Sequence, residues 1–412
     1  MVDRVQHDSR APISDWLRVM GEGRSDFASL LRKPGEGYRH TIREICQQPA
    51  TWAQTARYLT TCQSLVAASL DSCRRVVLTG SGSSQYAGEC AAPALRKHLR
   101  RAVEVAGGGE LLLRRTASVA GEPTLVVSLA RSGESPESAA VVETLLETEP
   151  ETRHLIVTCN AEGKLARAFV GDPRVRVIEL GAHLNDRSLV MTGSFTNLVL
   201  GARFLGHVDQ PAGFVEIADR LDHAGRQFLN TWPDCLAGFV SGIERVVFLG
   251  AGCRFGACRE AALKLLEMTG GRVASMAETY LGLRHGPMCF LDDQTLVVCF
   301  LSSDPLLREY ERDLIRELNA KGLGSRKLIA GAQEPGDGLC QDRDMAIEYA
   351  VPRDTTDDDM ALLDVMVAQV LGFHRCREAG LQPDSPSLNQ VISRVVGEFE
   401  IHRPETVLQW KS

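Results

Sequence analysis

Two serine-rich segments follow apolar runs and precede helical patterns in this sequence. The first serine loop, TGSGSSQYAG, spans residues 79–88, and the second serine loop, SLARSGESPES, spans residues 128–138. Helix starts carry unpaired backbone N–H groups and the positive end of the helix dipole. Serine hydroxyls add donors, and glycine lets the backbone approach a ligand closely. The two loops together therefore predict a site for one phosphate group.

Serine and glycine also form ordinary turns and helix caps, so either loop alone is weak evidence for phosphate binding. Neither loop matches a nucleotide-binding motif. After Gly80 and Gly82 the next glycine is Gly88, three residues beyond the dinucleotide spacing, and no Gly-Lys-Ser/Thr sequence follows. The pattern therefore gives no support for a nucleotide cofactor.

Charged residues of the later segment CREAALKLLEMTGGRV, residues 258–273, have types suited to acid–base chemistry. Glu260, Lys264 and Glu267 are four and three residues apart, which places them on one face of a helix. Further on, His285 precedes a Gly-Pro turn signal. A structural interpretation is also available: a solvated ion pair of Glu260 with Lys264, a surface charge at Glu267, and an exposed turn histidine.

The elements that must position these residues occur twice. RVVLTGSGSSQYAGECAAPAL (75–95) and RVVFLGAGCRFGACREAALKL (245–265) share Arg-Val-Val, two glycines and Ala-Ala-x-x-Leu at an offset of 170. TLVVSL (124–129) matches TLVVCF (295–300) at an offset of 171. Two matches in the same order indicate two related domains rather than a solenoid, whose repeats are roughly 20 to 50 residues long.

Each copy alternates short, valine-rich strands with amphipathic helices. This alternation predicts an α/β fold with parallel sheets covered by helices on both faces, and such sheets bind ligands at the carboxyl ends of their strands. The predicted strands lie near 75–79, 103–106, 124–128, 153–158, 175–178, 245–249, 272–276, 295–300, 326–330 and 346–350. The predicted helices lie near 86–99, 137–149, 192–206, 256–270, 306–320 and 358–379, and a linking helix spans 211–233.

The second copy lacks the hydroxyl groups that the serine loops of the first copy supply. Its corresponding loops read GAGCRFG and LSSDP, in which Arg254 could serve an anion but Asp304 would repel one. We therefore expect the first copy to hold the phosphate. The predicted organisation is an extended N-terminal arm (1–50) that packs onto the body, a first domain (51–215), a second domain (216–385) and a C-terminal tail (386–412).

The composition argues against several classes of protein. The 412 residues are 44% hydrophobic and 24% charged, and the net charge of −7 does not favour binding to nucleic acid. No stretch is apolar for long enough to span a membrane, and the polar N-terminus is not a signal peptide. Scattered cysteines without CxxC, and histidines without zinc spacing, predict a cytoplasmic protein with reduced thiols and neither a metal nor another cofactor.

The motifs SGSSQYAGE, ARSGESPES, REAALKLLE and LRHGP, in this order, resemble the sugar isomerase (SIS) domain family, which includes the isomerase half of glucosamine-6-phosphate synthase. GYRHTIREICQQPATW, NDRSLVMTGSFTNLVL and RHGP are most similar to the galactosamine-6-phosphate deaminase/tagatose-6-phosphate ketose–aldose isomerase group. The resemblance extends from about residue 37 to about residue 396. It implies two tandem, doubly wound, flavodoxin-like SIS domains related by duplication, with a sugar phosphate as ligand.

The resemblance implies that the two serine loops bind the phosphate. Ala130 stands where the synthase has another serine, so we expect Arg131 to supply the missing donor. Glu134 and Arg394 stand at positions that the resemblance places near the sugar. The implied phosphate-binding residues are Ser83, Ser84, Arg131, Ser132 and Ser135.

The resemblance also implies the roles of the acid–base residues. Glu267 corresponds to the carboxylate that moves a proton between sugar C1 and C2, and Lys264 lies one turn away on the same helix face. His285 corresponds to a histidine that opens the sugar ring from a neighbouring subunit, which implies a homodimer with composite sites. The proton shift converts an aminosugar into a ketimine whose hydrolysis releases ammonia, and a single carboxylate can perform it without a metal.

Departures from these families leave the substrate open. Val2 replaces the N-terminal nucleophilic cysteine of the synthase, and no lysine lies between Lys327 and Lys411, where the synthase has its Schiff-base lysine. Ser393 and Met288 stand where the deaminase group has asparagine and lysine. We predict an aminosugar-phosphate deaminase/isomerase that acts on galactosamine-6-phosphate or a close relative. A ketose–aldose isomerase for a neutral sugar phosphate such as tagatose-6-phosphate, and a non-catalytic phosphosugar sensor, are the alternatives.

Overall fold

The structure is a computed structural model that describes residues 10–402 except residues 24, 34 and 120. Helices occupy most of residues 10–50, where the sequence predicted an extended arm, and further helices continue to the first strand. The burial pattern explains the helical structure, because Ile13, Leu17 and Met20 recur at helical spacing and are all buried. The helices are α1 (Arg10–Gly21), α2 (Asp26–Ser29), α3 (Arg39–Cys46), α4 (Gln48–Thr61) and α5 (Gln63–Leu70). Residues 1–9 of the predicted arm lie outside the described residues.

The first copy of the repeat forms a parallel sheet with the strand order β2-β1-β3-β4-β5. The central strand β3 is buried along its whole length, as expected for a strand covered by helices on both faces. The elements of this copy are β1 (Arg75–Gly80), α6 (Ser83–Leu99), β2 (Ala102–Gly107), α7 (Gly108–Val119), β3 (Thr124–Ala130), α8 (Pro136–Thr148), β4 (Thr152–Thr158), α9 (Lys164–Arg167), β5 (Val175–Glu179) and α10 (Gly193–Arg203).

Two helices link the copies, α11 (Pro211–Thr231) and α12 (Pro233–Phe239). The predicted linking helix, 211–233, is present as α11, which ends at Thr231. A second helix, α12, begins at Pro233, which has no N–H to continue the first one. The elements of the second copy are β6 (Arg245–Leu249), α13 (Cys253–Met268), β7 (Ala274–Glu278), α14 (Tyr280–Leu283), β8 (Thr295–Phe300), α15 (Pro305–Lys321), β9 (Arg326–Gly331), β10 (Met345–Glu348) and α16 (Asp357–Glu378).

The second sheet repeats the topology and the register of the first. Its strand order, β10-β9-β8-β6-β7, is the order of the first sheet taken from the opposite edge. Arg75 at the start of β1 pairs with Thr124 of β3, and Arg245 at the start of β6 pairs with Thr295 of β8. The predicted fold class, two tandem doubly wound α/β domains related by duplication, is therefore confirmed.

The turn that leads from the first strand of each copy into its helix depends on glycine. Gly82 precedes α6 with φ +57 and ψ −125, and Gly252 precedes α13 with φ +57 and ψ −129. Residues with a side chain rarely adopt this conformation, so glycine is required at both positions. The matching angles show that the duplicated sequence preserves this local geometry.

The two copies pack against each other through their first helices, α6 and α13. A side chain at Gly256 of α13 would come within 2.6 Å of the backbone nitrogen of Cys90 on α6, so the two helix backbones approach closely. One hydrophobic core runs through both copies and includes Leu78 of β1 and Phe248 of β6. This packing brings α13 of the second copy to the strand ends of the first.

Among the described residues, no helix combines the length and apolar character needed to cross a membrane. Within the same part of the chain, no group of three or more His, Cys, Asp or Glu side chains is placed to hold a metal ion. The predicted domain boundaries at residues 50, 215 and 385 stay predictions.

Candidate active site

A cavity of about 450 Å³, which we call the strand-end cavity, lies where both serine loops meet α13 and the C-terminal tail. Glu134 and His285 do not line it. The other eight site residues predicted from the sequence do line it: Ser83, Ser84, Arg131, Ser132, Ser135, Lys264, Glu267 and Arg394. The fold thus brings together residues that are as much as 311 positions apart in the sequence.

The first serine loop leads into α6, which begins three residues earlier than predicted, at Ser83. Ser83 and Ser84 therefore belong to the first helical turn, where backbone N–H groups have no partner within the helix. Both serines are largely buried, and Ser84 Oγ lies 3.9 Å from Sδ of Met191. Hydroxyls beside a helix N-terminus are a suitable arrangement for a phosphate.

The second serine loop leads from β3 into α8. Ser135 is the N-cap of α8, and Pro136 at the first helical position has no N–H that would need a partner. Ser132 Oγ accepts a hydrogen bond from the backbone N–H of Glu134 at 3.3 Å. Gly133 between them has φ +64, the left-handed conformation that favours glycine. Ser132 and Ser135 face the cavity, whereas Glu134, which we expected near the sugar, lies outside its lining.

Arg131 lines the cavity but has hydrogen-bond partners within the protein. Its Nη1 donates to the carbonyl oxygens of Leu189 at 2.9 Å and Ser188 at 3.3 Å, and its Nη2 donates to the carbonyl oxygen of Arg394. Burial, together with the guanidinium of Arg394, lowers the pKa of Arg131 below its usual value. Arg131 therefore places a buried positive charge at the cavity and also joins the tail to the first copy.

Glu260 and Lys264 of α13 are buried and Glu267 is half-buried, so the interpretation of Glu260 and Lys264 as a solvated pair is wrong. The side chains of Glu260 and Lys264 are almost completely inaccessible, and Lys264 Nζ lies 3.4 Å from Glu260 Oε1. Lys264 Nζ also donates a hydrogen bond to Glu267 Oε2. Burial raises the pKa of Glu260 above its usual value, and the nearby Lys264 ammonium partly offsets this rise. Burial acts to lower the pKa of Lys264, but the two carboxylates outweigh it and raise that pKa, so the ammonium is retained.

His285 is exposed in the turn after α14, where its backbone N–H donates to the carbonyl oxygen of Gly282 at 2.9 Å. A single chain therefore does not place His285 with Glu267. This position is compatible with the predicted contribution from a neighbouring subunit, which stays a prediction.

The C-terminal tail covers one side of the cavity with residues 391–394, 396 and 397. Arg394 Nε donates to the carbonyl oxygen of Asp186 at 2.7 Å, and its Nη2 donates to Oδ1 of Asn185. The Arg394 guanidinium thus fixes the tail to the segment before α10 rather than projecting freely. The end of the predicted tail, residues 403–412, lies outside the described residues.

Several cavity residues were not predicted from the sequence. Leu189 and Met191 line the cavity from the segment NDRSLVMTGS, which the sequence analysis used only as a family motif. Glu137 of α8 also lines it, and its buried Oε2 has no hydrogen-bond partner among the described residues. The apolar tail residues Val391 and Ile392 had no sequence signal, because only the fold brings the tail to the cavity.

The corresponding loops of the second copy have charged partners from within the protein. The prediction that Arg254 could serve an anion there is wrong, because its Nε and Nη2 donate to the two carboxylate oxygens of Asp364, each at 2.7 Å. Asp304 is the N-cap of α15 and accepts from the N–H groups of Leu306 and Leu307 at 2.8 and 3.0 Å. Both charged residues are therefore structural.

The duplicated parallel sheets, with two serine loops at one cavity, define a class of α/β protein, and comparison with known families identifies that class. The SIS domain model matches residues 69–179 and 240–374, one match in each copy. The chain belongs to the SIS domain family.

Similar proteins within this family are named as enzymes that act on sugar phosphates. A protein from Streptomyces coelicolor, provisionally named a D-galactosamine-6-phosphate deaminase, is 37% identical over 88% of this chain and 95% of its own length. The D-galactosamine-6-phosphate deaminase of Escherichia coli is 32% identical over 88% of this chain and 95% of its own length. The structure of the tagatose-6-phosphate ketose/aldose isomerase of E. coli superposes with a TM-score of 0.78 at 29% identity, covering 86% of this chain and 98% of that one.

Proposed function

We propose that this chain is an aminosugar-phosphate deaminase/isomerase that converts galactosamine-6-phosphate, or a close relative, into a ketose 6-phosphate and ammonia. The chain is an enzyme acting on sugar phosphates, since it matches proteins named as such enzymes over almost their whole length. The observation that carries the proposal is that Lys264 and Glu267 lie in one cavity with both serine loops. A phosphosugar sensor needs the loops but not a buried lysine–glutamate pair beside them.

The phosphate group binds between the first turns of α6 and α8. Ser83 and Ser84 supply hydroxyls from one helix start, and Ser132 and Ser135 supply them from the other. The two positive helix ends and the charge of Arg131 favour a dianion at this point. Holding the phosphate at one end of the sugar chain sets the position of C1 and C2 relative to α13, which supplies the orientation that catalysis requires.

Glu267 acts as the general base on the open-chain aminosugar. It takes the proton from C2, and the electrons of that C–H bond form the C1–C2 double bond of an enolamine while the C1 carbonyl oxygen gains a proton. Glu267 then returns its proton to C1, which gives a ketimine at C2. General acid–base help of this kind typically accelerates a reaction by about 10² to 10⁴-fold. Lys264 holds the Glu267 carboxylate through its hydrogen bond to Oε2.

Hydrolysis of the ketimine completes the reaction. Water adds to C2 as the C=N double bond opens, the nitrogen takes up a proton, and the C–N bond breaks to release ammonia as the C2 carbonyl forms. Opening of the sugar ring before these steps is assigned to His285 of a second subunit, because an imidazolium N–H can donate a proton to the ring oxygen. For this reason we also propose that the chain works as a homodimer, and the scattered cysteines without CxxC favour the cytoplasm as its location.

The neutral-sugar alternative has one specific observation in its favour. The similar E. coli structure is described as a tagatose-6-phosphate ketose/aldose isomerase, and the same Glu267 proton shift converts a neutral aldose into a ketose without loss of ammonia. Ammonia release therefore separates the two activities.

The decisive experiment measures ammonia release from galactosamine-6-phosphate and glucosamine-6-phosphate in parallel, with tagatose-6-phosphate isomerisation as the third reaction. We expect release that favours galactosamine-6-phosphate. The Glu267→Gln variant should lose at least about 10²-fold in kcat and still bind the phosphosugar. Turnover near the wild-type rate in Glu267→Gln would contradict the assignment of the base.

Subunit mixing tests the composite site. Inactive Glu267→Gln chains and inactive His285→Ala chains should regain activity when they are allowed to exchange, because one of the two sites in a mixed dimer is then intact. Failure to regain activity after verified exchange would mean that each site is built from one chain.

A further inference from the structure

One buried carboxyl group beside the cavity wall belongs to neither copy of the repeat. Glu44 lies on α3, before the first copy, and is only 6% exposed. Charged residues are rarely buried unless they have partners to hold. Burial and the nearby carboxylate of Asp186 raise the pKa of Glu44 to about 8.

The partners of Glu44 are in one short backbone segment, residues 187–188. Its Oε1 accepts hydrogen bonds from the backbone N–H groups of Arg187 at 2.5 Å and Ser188 at 3.3 Å. Its Oε2 shares a hydrogen bond with Ser188 Oγ. A single side chain from the N-terminal region thus fixes both the backbone and the hydroxyl of Ser188.

The segment that Glu44 fixes is the one that orients Arg131. The carbonyl oxygens of Ser188 and Leu189 accept the hydrogen bonds of Arg131 Nη1, and the side chain of Leu189 lines the cavity. The contacts therefore run without a break from Glu44 through Ser188 to the guanidinium at the cavity.

Asp186 holds the other end of the same segment. It is 1% exposed, and its Oδ2 accepts from the backbone N–H groups of Thr192 and Ser194, both at 2.8 Å. Its carbonyl oxygen accepts from Arg394 Nε. Glu44 and Asp186 together therefore fix residues 186–188. The backbone carbonyl groups of these residues contact Arg131 and Arg394 at the cavity.

We propose that Glu44 is a positioning residue for phosphosugar binding: it holds residues 187–188 so that the carbonyl oxygens of Ser188 and Leu189 orient Arg131 in the cavity. This inference rests on the proposed function, since it takes the ligand of the cavity to be a sugar phosphate. It makes α3 a supporting part of the binding site rather than an appended arm.

The test separates binding from turnover. Loss of the partner of a buried hydrogen-bonding group changes an affinity by about tenfold, so Glu44→Ala should raise KM about tenfold and change kcat less than about threefold. Glu44→Gln keeps an oxygen for the two N–H groups and an NH₂ group for Ser188 Oγ, so it should recover most of the affinity. Ser188→Ala removes only the hydroxyl and should raise KM about threefold. It gives the answer if Glu44→Ala does not fold.

Glu311 in the second copy provides a matched control. It is 2% exposed, and its Oε2 accepts from the backbone N–H of Ser302 at 2.7 Å, but it does not line the cavity. Glu311→Ala should lower the melting temperature without raising KM. Equal KM increases in Glu44→Ala and Glu311→Ala, or a wild-type KM in Glu44→Ala, would overturn the positioning role.

Calorimetric titration with inorganic phosphate distinguishes a failure of this inference from a failure of the proposed function. If the wild type does not turn over aminosugar phosphates, but Glu44→Ala weakens phosphate binding about tenfold, the function fails and the positioning role stands. If turnover is as proposed and Glu44→Ala binds phosphate like the wild type, only the positioning role fails. A wild type that neither turns over aminosugar phosphates nor binds phosphate would overturn both.

Discussion

The two copies of the repeat share one fold, but they use the carboxyl ends of their strands differently. In the first copy, the loops after β1 and β3 border an open cavity. In the second copy, the residue that corresponds to Ser84 is Arg254, a buried cation paired with Asp364. The prediction that the second copy lacks loop hydroxyls is wrong for its second loop: the residue that corresponds to Ser132 is Ser303, whose backbone N–H donates to Oδ1 of Asp357 at 2.8 Å.

This difference teaches how one duplicated loop can keep its shape and change its partner. A loop that offers N–H and hydroxyl groups at a helix start needs an anion to satisfy them. In the second copy, the chain supplies that anion itself, since Asp357 also accepts from Ser302 Oγ and Glu311 accepts from the Ser302 N–H. In the first copy we assign the place to the phosphate of the substrate.

The largest expected effect breaks the buried ion pair of the second copy. In Arg254→Met, the buried Asp364 carboxylate keeps one hydrogen-bond partner among the described residues, the hydroxyl of Tyr349 at 2.8 Å from its Oδ1. Loss of one partner of a buried pair costs about 3–5 kcal/mol, so the free energy of unfolding should fall by about that amount. Urea unfolding measures it. A loss below about 1 kcal/mol would show that the second copy does not depend on this internal pair.

A smaller effect is a pH dependence that belongs to the second copy. Burial raises the pKa of Glu311 from 4.5 to about 7. Because the folded protein then binds this proton more tightly than the unfolded chain, the stabilisation is complete below about pH 4.5 and is lost as the pH rises through about 7. Glu311→Gln should flatten this decline by roughly 2 kcal/mol between about pH 5 and about pH 8.

Urea unfolding at several pH values, in the wild type and in Glu311→Gln, gives the difference directly. The other buried acids contribute equally to both proteins, so only Glu311 remains in the comparison. Identical pH slopes for the two proteins would contradict the assignment.

The smallest expected effect compares the two corresponding serines. Ser132→Ala removes one hydroxyl from the proposed phosphate site and should raise KM roughly fivefold, which corresponds to about 1 kcal/mol. Ser303→Ala removes a hydroxyl whose partner is the Asp357 carboxylate at 3.2 Å and should leave KM unchanged. Steady-state kinetics of both variants measure the contrast. An unchanged KM in Ser132→Ala would contradict the assignment of the second serine loop to phosphate binding.

The regular elements were largely predictable from the sequence. All ten predicted strands are present, and their ends differ from the predictions by no more than two residues. Short apolar runs between glycine-rich turns give an unambiguous signal when both faces of a strand are buried. Nine helices within the described residues were missed, although α4 buries Trp52 and Leu59 at helical spacing: α1, α2, α3, α4, α5, α7, α9, α12 and α14.

The chemical environment of the site was much less predictable. Spacing alone makes Glu260 and Lys264 an ordinary surface pair, because sequence spacing does not reveal which face of a helix a second domain will cover. The approach of α13 to α6 at Gly256 decides that this face is buried. The contribution of Glu44 was equally hidden, since its partners are more than 140 residues away in the sequence.

The sequence by itself determined the duplication, the alternation of strands and helices, and the positions of the two serine loops at helix starts. These follow from local periodicity and from turn residues that act over a few positions. Only the tertiary structure decided that Lys264 and Glu267 of one copy share a cavity with the serines of the other, and that Asp357 and Asp364 satisfy the second copy from within. The physical reason is that burial and charge pairing depend on which surfaces pack together, and that packing is set by contacts between residues far apart in the chain.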